Sequence, residues 1–268
     1  SVLSRHRAGA ARACLKLSAA FGGANAALVL GRAGAPERGG ARPRRSVRLL
    51  GRGEPVRDPD LGVIAERTAL PELYRTRLDR ASALALTAAA GLVNPERPFD
   101  PETTAVIVGT AAASLEADEL FDARRRERGA AAVEPRRFPA TSPNLPAGQC
   151  SLALSLRGPA LAVGGGPGAG LDALLVAMDL VELGDAERVL VIACDDARAV
   201  TRELFEAAGL PVPADGALAV LIGTGTAHDG PVLDRRTVEA ASLRARVLHE
   251  SEGWPAMLGA LPAPAELP

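Results

Sequence analysis

The stretch Leu156–Asp196, LRGPALAVGGGPGAGLDALLVAMDLVELGDAERVLVIACDD, constrains this chain more than any other. Ala160 to Val163 is an apolar run with no polar break, the pattern of a buried strand. Gly164 to Gly170 follows, where glycine lets the backbone take positive φ and approach a neighbour closely. Pro167, with its fixed φ, suits the first position of a helix. From Leu171 to Leu183 the residues Leu171, Leu174, Leu175, Met178 and Val181 recur at helical spacing. Gly184 stops that helix, and Val189 to Ala193 is a second buried strand. Strand, glycine turn, helix and strand make a βαβ crossover, with the turn at the carboxyl end of its first strand. Open α/β folds place their chemistry there.

Two chemistries fit such a turn. In one, Gly164–Gly170 is a dinucleotide loop of an NAD(P)-binding oxidoreductase, and Asp195 or Asp196 at the end of the next strand holds a ribose hydroxyl. The glycines, however, do not fall as G-x-G-x-x-G in any register. In the other, the turn is a nucleophile elbow without its nucleophile. The segment resembles the β-ketoacyl synthases, in which an R-G-P-x-x-x-V strand runs into a sharp turn carrying the acyl-accepting cysteine. Arg157, Gly158, Pro159 and Val163 fall on that pattern, as do Leu171, Ala173 and Leu174 of the helix. The elbow is then Gly166, Pro167 and Gly168, and the cysteine position is occupied by Pro167, which has no group able to attack a thioester. The resemblance implies no catalytic residue in this chain.

A chain of 268 residues can bury a core of ordinary size. Aromatics make up only 3%, so that core is built from Ala, Leu and Val. The net charge of −1 argues against a dedicated nucleic-acid or anionic-membrane binder. Cys14, Cys150 and Cys194 are odd in number and widely spaced, which suits neither a disulfide framework nor a metal site. Cys194 closes a buried strand as a small core hydrophobe. No metal and no cofactor is expected.

The chain opens on Ser1, which reads as a processed product or as part of a longer one. Residues 1–32 loosely imitate a secretory signal, but Lys16, Asn25 and the pair Gly22-Gly23 interrupt the apolar run. LKLSAAFGGANAALVLGR better resembles the closing segment of a ketosynthase, where F-G-G-x-N-A precedes a V-x-L strand. Phe21, Gly22 and Gly23 make its closing loop, followed by Asn25, Ala26, Val29 and Leu30. In the family this segment lies at the carboxyl end, so its place here suggests the tail of one ketosynthase-like unit running into the head of another. Residues 33–45, rich in Gly, Pro and Arg, read as a solvated linker.

Residues 46–225 follow the order of a ketosynthase amino-terminal domain. Ser46–Gly51 is a strand candidate. Leu70–Gly91 is expected as one helix, with Leu73, Leu78, Leu84 and Leu86 on its apolar side, and D-R-x-x-x-L-A-x-x-A within it resembles the family. Thr104–Thr110 is a buried strand, and Ser114 is placed to cap the next helix. The prolines of 134–146 forbid regular structure before Ala147, in a stretch like the family's P-N-x-x-x-G-Q loop. Ala199–Ala208 is a short helix and Ala217–Ile222 a closing strand. In the 226–268 tail, Val238–Leu248 is helix-like, and Trp254 and Leu258 are candidates to cover an apolar patch. His228 and His249 lack the sequence context of catalytic histidines.

The resemblance implies an α/β, thiolase-like fold and a non-catalytic subunit like the chain length factors of bacterial type II polyketide and aryl polyene systems. Its partners would be an active ketosynthase, paired in an obligate dimer through an unpaired edge strand at Ala160–Val163, and an acyl carrier protein, in the cytoplasm, with no membrane and no nucleic acid. Carried over from those factors, the residues that bound the chain tunnel are Leu115, Asp118 and Asp122, which spacings of three and four put on one helix face. A purely structural scaffold of the synthase complex is the other alternative.

Overall fold

A computed structural model describes residues 13–19, 25–31, 43–96, 98–164, 166–226, 228–248 and 253–262. Residues 1–43 and 44–268 are separate compact units. In the first, β1 (Ala13–Ala19) and β2 (Asn25–Gly31) form an antiparallel pair with Ala13 opposite Gly31 and Ala19 opposite Asn25. Phe21, Gly22 and Gly23 of the expected closing loop lie outside the described residues.

The second unit carries β3 (Arg48–Arg52), α1 (Leu61–Arg67), α2 (Glu72–Arg75), α3 (Arg80–Ala90), β4 (Thr104–Gly109), α4 (Leu115–Arg128) and α5 (Leu145–Ala153). It continues through β5 (Ala160–Val163), α6 (Ala169–Leu183), β6 (Arg188–Asp195), α7 (Ala199–Ala207), β7 (Gly216–Gly223), α8 (Arg235–Leu248) and α9 (Trp254–Gly259). Its five strands stand in the order β3-β7-β6-β4-β5. β4 pairs in parallel with both β5 and β6, whereas β7 runs antiparallel to β6 and to β3.

The sheet is covered on both faces, as the continuous apolar runs of β4, β6 and β7 require. On one face Leu84, Leu86, Ala147 and Cys150 of α3 and α5 pack on Val106, Val108, Leu190 and Ile192. On the other, Leu171, Leu174 and Met178 of α6 pack on Ile107, Val189 and Val191, joined by Val238, Trp254 and Met257 of α8 and α9. The residues after 226 thus complete the core.

Several local expectations change. β5 is not buried: it is the edge strand, bonded to β4 alone, and Leu161 is exposed. Its apolar run reports an uncovered edge, which periodicity cannot distinguish from a central strand. The 70–91 segment is two helices, because the Asp79 carboxylate accepts from Ser82 N at 3.0 Å and starts α3 afresh. Leu73 is consequently left exposed on α2, while Leu84 and Leu86 are fully buried. Pro167 lies in the turn before α6, not at its first helical position, since the helix starts at Ala169 with Gly168 as its cap. Ser114 occupies the cap position of α4 without bonding its backbone; the hydroxyl lies 3.0 Å from Asp118 Oδ2 instead. Pro135–Thr141, expected to be irregular, is a 3-10 helix, and α5 already begins at Leu145.

Candidate functional site

The elbow joins β5 to α6. Gly166 has φ +96°, a conformation that favours glycine. The first turn of α6 rests almost directly on the sheet: a Cβ at Gly109 would stand 2.3 Å from Ala169 O, and one at Gly170 would stand 2.8 Å from Ala193 Cβ. Glycine in both places lets helix and strands approach, so the turn is held rigidly at the carboxyl ends of β4 and β6. Gly166, Pro167 and Gly168 offer no thiol, hydroxyl or imidazole to a substrate.

The chain's own carboxyl-terminal helices lie over this turn. Gly253 N donates to Pro167 O at 3.4 Å. A Cβ at Gly168 would meet the Arg246 side chain at 3.1 Å. Arg246 is held there by Asp172 of α6, which also accepts from Ser242 Oγ at 2.7 Å. Asp172 is buried, so the paired arginine and hydroxyl offset its desolvation. Further along, Arg235 of α8 bonds Asp179 at 2.7 Å and Glu182 at 3.1 Å, fastening α8 along α6.

Neither Cys150 nor Cys194 offers a reactive thiol. Cys150 and Cys194 are buried, and burial pushes both thiols up, away from the reactive thiolate. His228 is exposed, and His249 lies outside the described residues.

The two aspartates at the end of β6 serve the fold. Asp195 Oδ1 accepts from Thr110 Oγ1 at 2.8 Å and from Ala111 N and Ala112 N at 2.7 Å each. Asp196 is gripped by Arg80 at 3.0 Å and by Nε and Nη2 of Arg198 at 2.7 and 2.9 Å. Arg80 also forks onto Asp215 at 2.7 and 2.8 Å. The guanidinium is raised by this hydrogen bonding. Burial works to raise Asp215, but Arg80 and Ala197 N outweigh it and the carboxyl stays below its ordinary range. The dinucleotide reading fails on this geometry. Both carboxylates are taken by the protein itself, and β4 lies between β5 and β6, whereas a dinucleotide unit sets its first two strands side by side.

Leu115 and Asp118 sit half-buried on α4. Burial raises the Asp118 carboxyl, against the Ser114 hydroxyl. Asp122 bonds Arg125 and Arg126 at 2.5 Å each, so its charge is matched within the helix.

A different side of α4, with Ala113, Ser114, Glu116, Ala117 and Leu120, lines a cavity of about 460 Å³. Its other walls come from residues 76–81 at the start of α3, from the 3-10 helix, from the start of α5, and from Asp196 and Arg198. Sequence reasoning missed this cavity and the Arg80–Asp196–Asp215 cluster; the only local signal was the D-R pair at 79–80.

A layered α/β unit with a glycine elbow opening the helix over its central strands defines a thiolase-type half-domain. The model of the β-ketoacyl synthase amino-terminal domain matches residues 65–233, and the chain belongs to that family. Among solved structures, "The ishigamide ketosynthase/chain length factor" is similar with TM-score 0.57 and 21% identity, over 76% of this chain and 73% of that one. The ketosynthase ApeO in complex with its chain length factor ApeC from Xenorhabdus doucetiae gives TM-score 0.52 and 16% identity, over 68% of this chain and 80% of that one. A β-ketoacyl synthase from Burkholderia phymatum gives 0.53 and 16%, over 68% and 59%. No curated protein sequence matches significantly. Among the described residues no helix is long and apolar enough to cross a membrane.

Proposed function

We propose that this chain is a non-catalytic ketosynthase-like subunit. It pairs with an active β-ketoacyl synthase in the cytoplasm and helps bound the acyl chain that the synthase elongates on carrier protein, as a chain length factor does. The observation that carries this reading is the turn from β5 to α6: Gly166 takes φ +96°, the resemblance puts Pro167 at the nucleophile position, Arg246 packs on Gly168, and Gly253 N bonds Pro167 O. A catalytic ketosynthase needs that position open and occupied by cysteine. Similarity to structures described as ketosynthase with chain length factor supports the pairing, and a third similar structure is described as a ketosynthase with an acyl-carrier protein. Leu115 is the tunnel residue we favour, because Asp122 is already satisfied by arginines of its own helix.

Co-expression with a candidate ketosynthase, followed by mass measurement of the complex and product analysis, tests the assignment. Leu115→Phe is expected to shorten the product and Leu115→Ala to lengthen it, with the complex intact. A complex whose products stay unchanged in both variants would replace the tunnel role by that of a scaffold.

A further inference from the structure

The cavity beside α4 has an amphipathic lining. Leu78, Ala117 and Leu120, with Pro143 and Pro146, give it an apolar side. Arg77, Arg136 and Arg137 line it as well. These guanidiniums are under-neutralised. Among the described residues Arg77 has no carboxylate within salt-bridge distance, while Arg136 and Arg137 share one Glu134 oxygen at 2.7 and 3.2 Å. Arg124 also pairs with Glu134, so a single carboxylate serves three arginines.

The acids that line the cavity are turned to internal donors. Asp79 caps α3, Glu116 accepts from Thr201 N at 3.0 Å, and Asp196 is held by Arg80 and Arg198. The first turns of α3, α4 and α5 all border the space, and neither α4 nor α5 has a side-chain cap, which adds positive potential. A volume of about 460 Å³ is that of a small-molecule site.

We infer that this cavity binds an organic anion, with a phosphate or carboxylate head held by Arg77, Arg136 and Arg137 and a short aliphatic stem lying against Leu78, Ala117 and Leu120. Planar guanidiniums grip such heads bidentately, and burial of the stem adds the affinity that an inorganic ion lacks. The site is independent of the pairing with a ketosynthase.

Calorimetric titration of the purified chain with octyl phosphate, octanoate and inorganic phosphate tests it. Either amphiphile is expected to bind at one site at least tenfold more tightly than inorganic phosphate, and the tighter of the two identifies the head group. Arg77→Ala combined with Arg137→Ala should weaken that binding at least tenfold. Glu134→Gln should strengthen it several-fold by releasing three guanidiniums, an effect that a loss of folding cannot mimic. Absence of saturable binding by both amphiphiles, or equal binding by wild type and the double variant, overturns the inference.

Discussion

Asp195, at the end of β6, accepts a 2.8 Å hydrogen bond from the hydroxyl of Thr110, at the end of β4. Thr110 Oγ1 in turn accepts from Ala113 N at 2.8 Å, and Ala113 has φ +51°, a strained value for alanine. Two neighbouring strands therefore hold the turn that launches α4. Burial pushes the Asp195 carboxyl up to about 7, against the donors Ala112 N, Thr110 Oγ1 and Ala111 N. In the unfolded chain it titrates near ~4. Since the folded value is the higher one, the contribution of this group to stability is full below pH ~4 and is lost as pH rises through 7. Asp195→Asn keeps the acceptor and cannot ionise. Urea unfolding at pH 5 and pH 8 should show wild type losing stability relative to Asp195→Asn by roughly 2.5 kcal/mol between the two. Parallel changes in both proteins would mean that the carboxyl is ionised throughout.

Gly109 makes a second, steric prediction. Its missing Cβ is where Ala169 O lies, at 2.3 Å, in an interface of backbone on backbone that cannot yield by a rotamer change. Gly109→Ala should force α6 off the sheet and cost about 3 kcal/mol. The control is Gly148→Ala, where no atom lies within 4 Å and the site is helical. That substitution should leave the melting temperature equal or higher.

How much of this was legible in the sequence follows from what each element depends on. β4, β6 and β7 were readable because unbroken apolar runs leave no alternative to a covered sheet. The sheet order was not: periodicity reads β5 as a buried strand, and only the family resemblance implies the edge that Ala160–Val163 forms. An apolar edge strand and an apolar central strand look alike until the neighbours are placed. The break between α2 and α3 was written in Asp79, but an arginine-rich helical pattern ran across it. The role of α8 was hidden by its arginines: small or short side chains, Val238, Ala241 and Ala245, meet the core, while Arg235 and Arg246 dock it through carboxylates of α6 that are distant in sequence. The elbow was readable because it is local. The cavity draws on five separate segments, of which only the D-R pair at 79–80 left a local trace.

The proposed loss of the nucleophile at Pro167 gives a chemical prediction. Incubated with acyl carrier protein thioesters, the chain should show no acyl adduct by intact mass. Cys150 and Cys194 are buried with their thiols shifted toward the protonated form, so the nearest alternatives to Pro167 are inert. Pro167→Cys is expected to remain inactive in condensation, because no described histidine faces the turn. An adduct on wild type would require one of the thiols to be exposed and would overturn the non-catalytic assignment.

The last prediction concerns the edge of the sheet. β5 is bonded on one side only, and along it Ala160 and Leu161 are exposed, with Leu161 at 41%. The outer row of backbone N–H and C=O groups is unpaired by this unit, and proteins usually shield such an edge with charge, proline or a covering chain. No Lys, Arg, Asp or Glu stands in the strand, whose four residues are ALAV. Another strand laid against it would satisfy those groups and cover Leu161. Leu161→Lys places a charge on that edge without disturbing the bonds of β5 to β4. It should leave thermal stability within about 0.5 kcal/mol, as an exposed substitution does. In sedimentation with the co-expressed ketosynthase it should nevertheless weaken the complex at least tenfold. Should Leu161→Lys and wild type sediment as equally stable complexes, the edge of β5 is not the joining surface and the pairing must use another face.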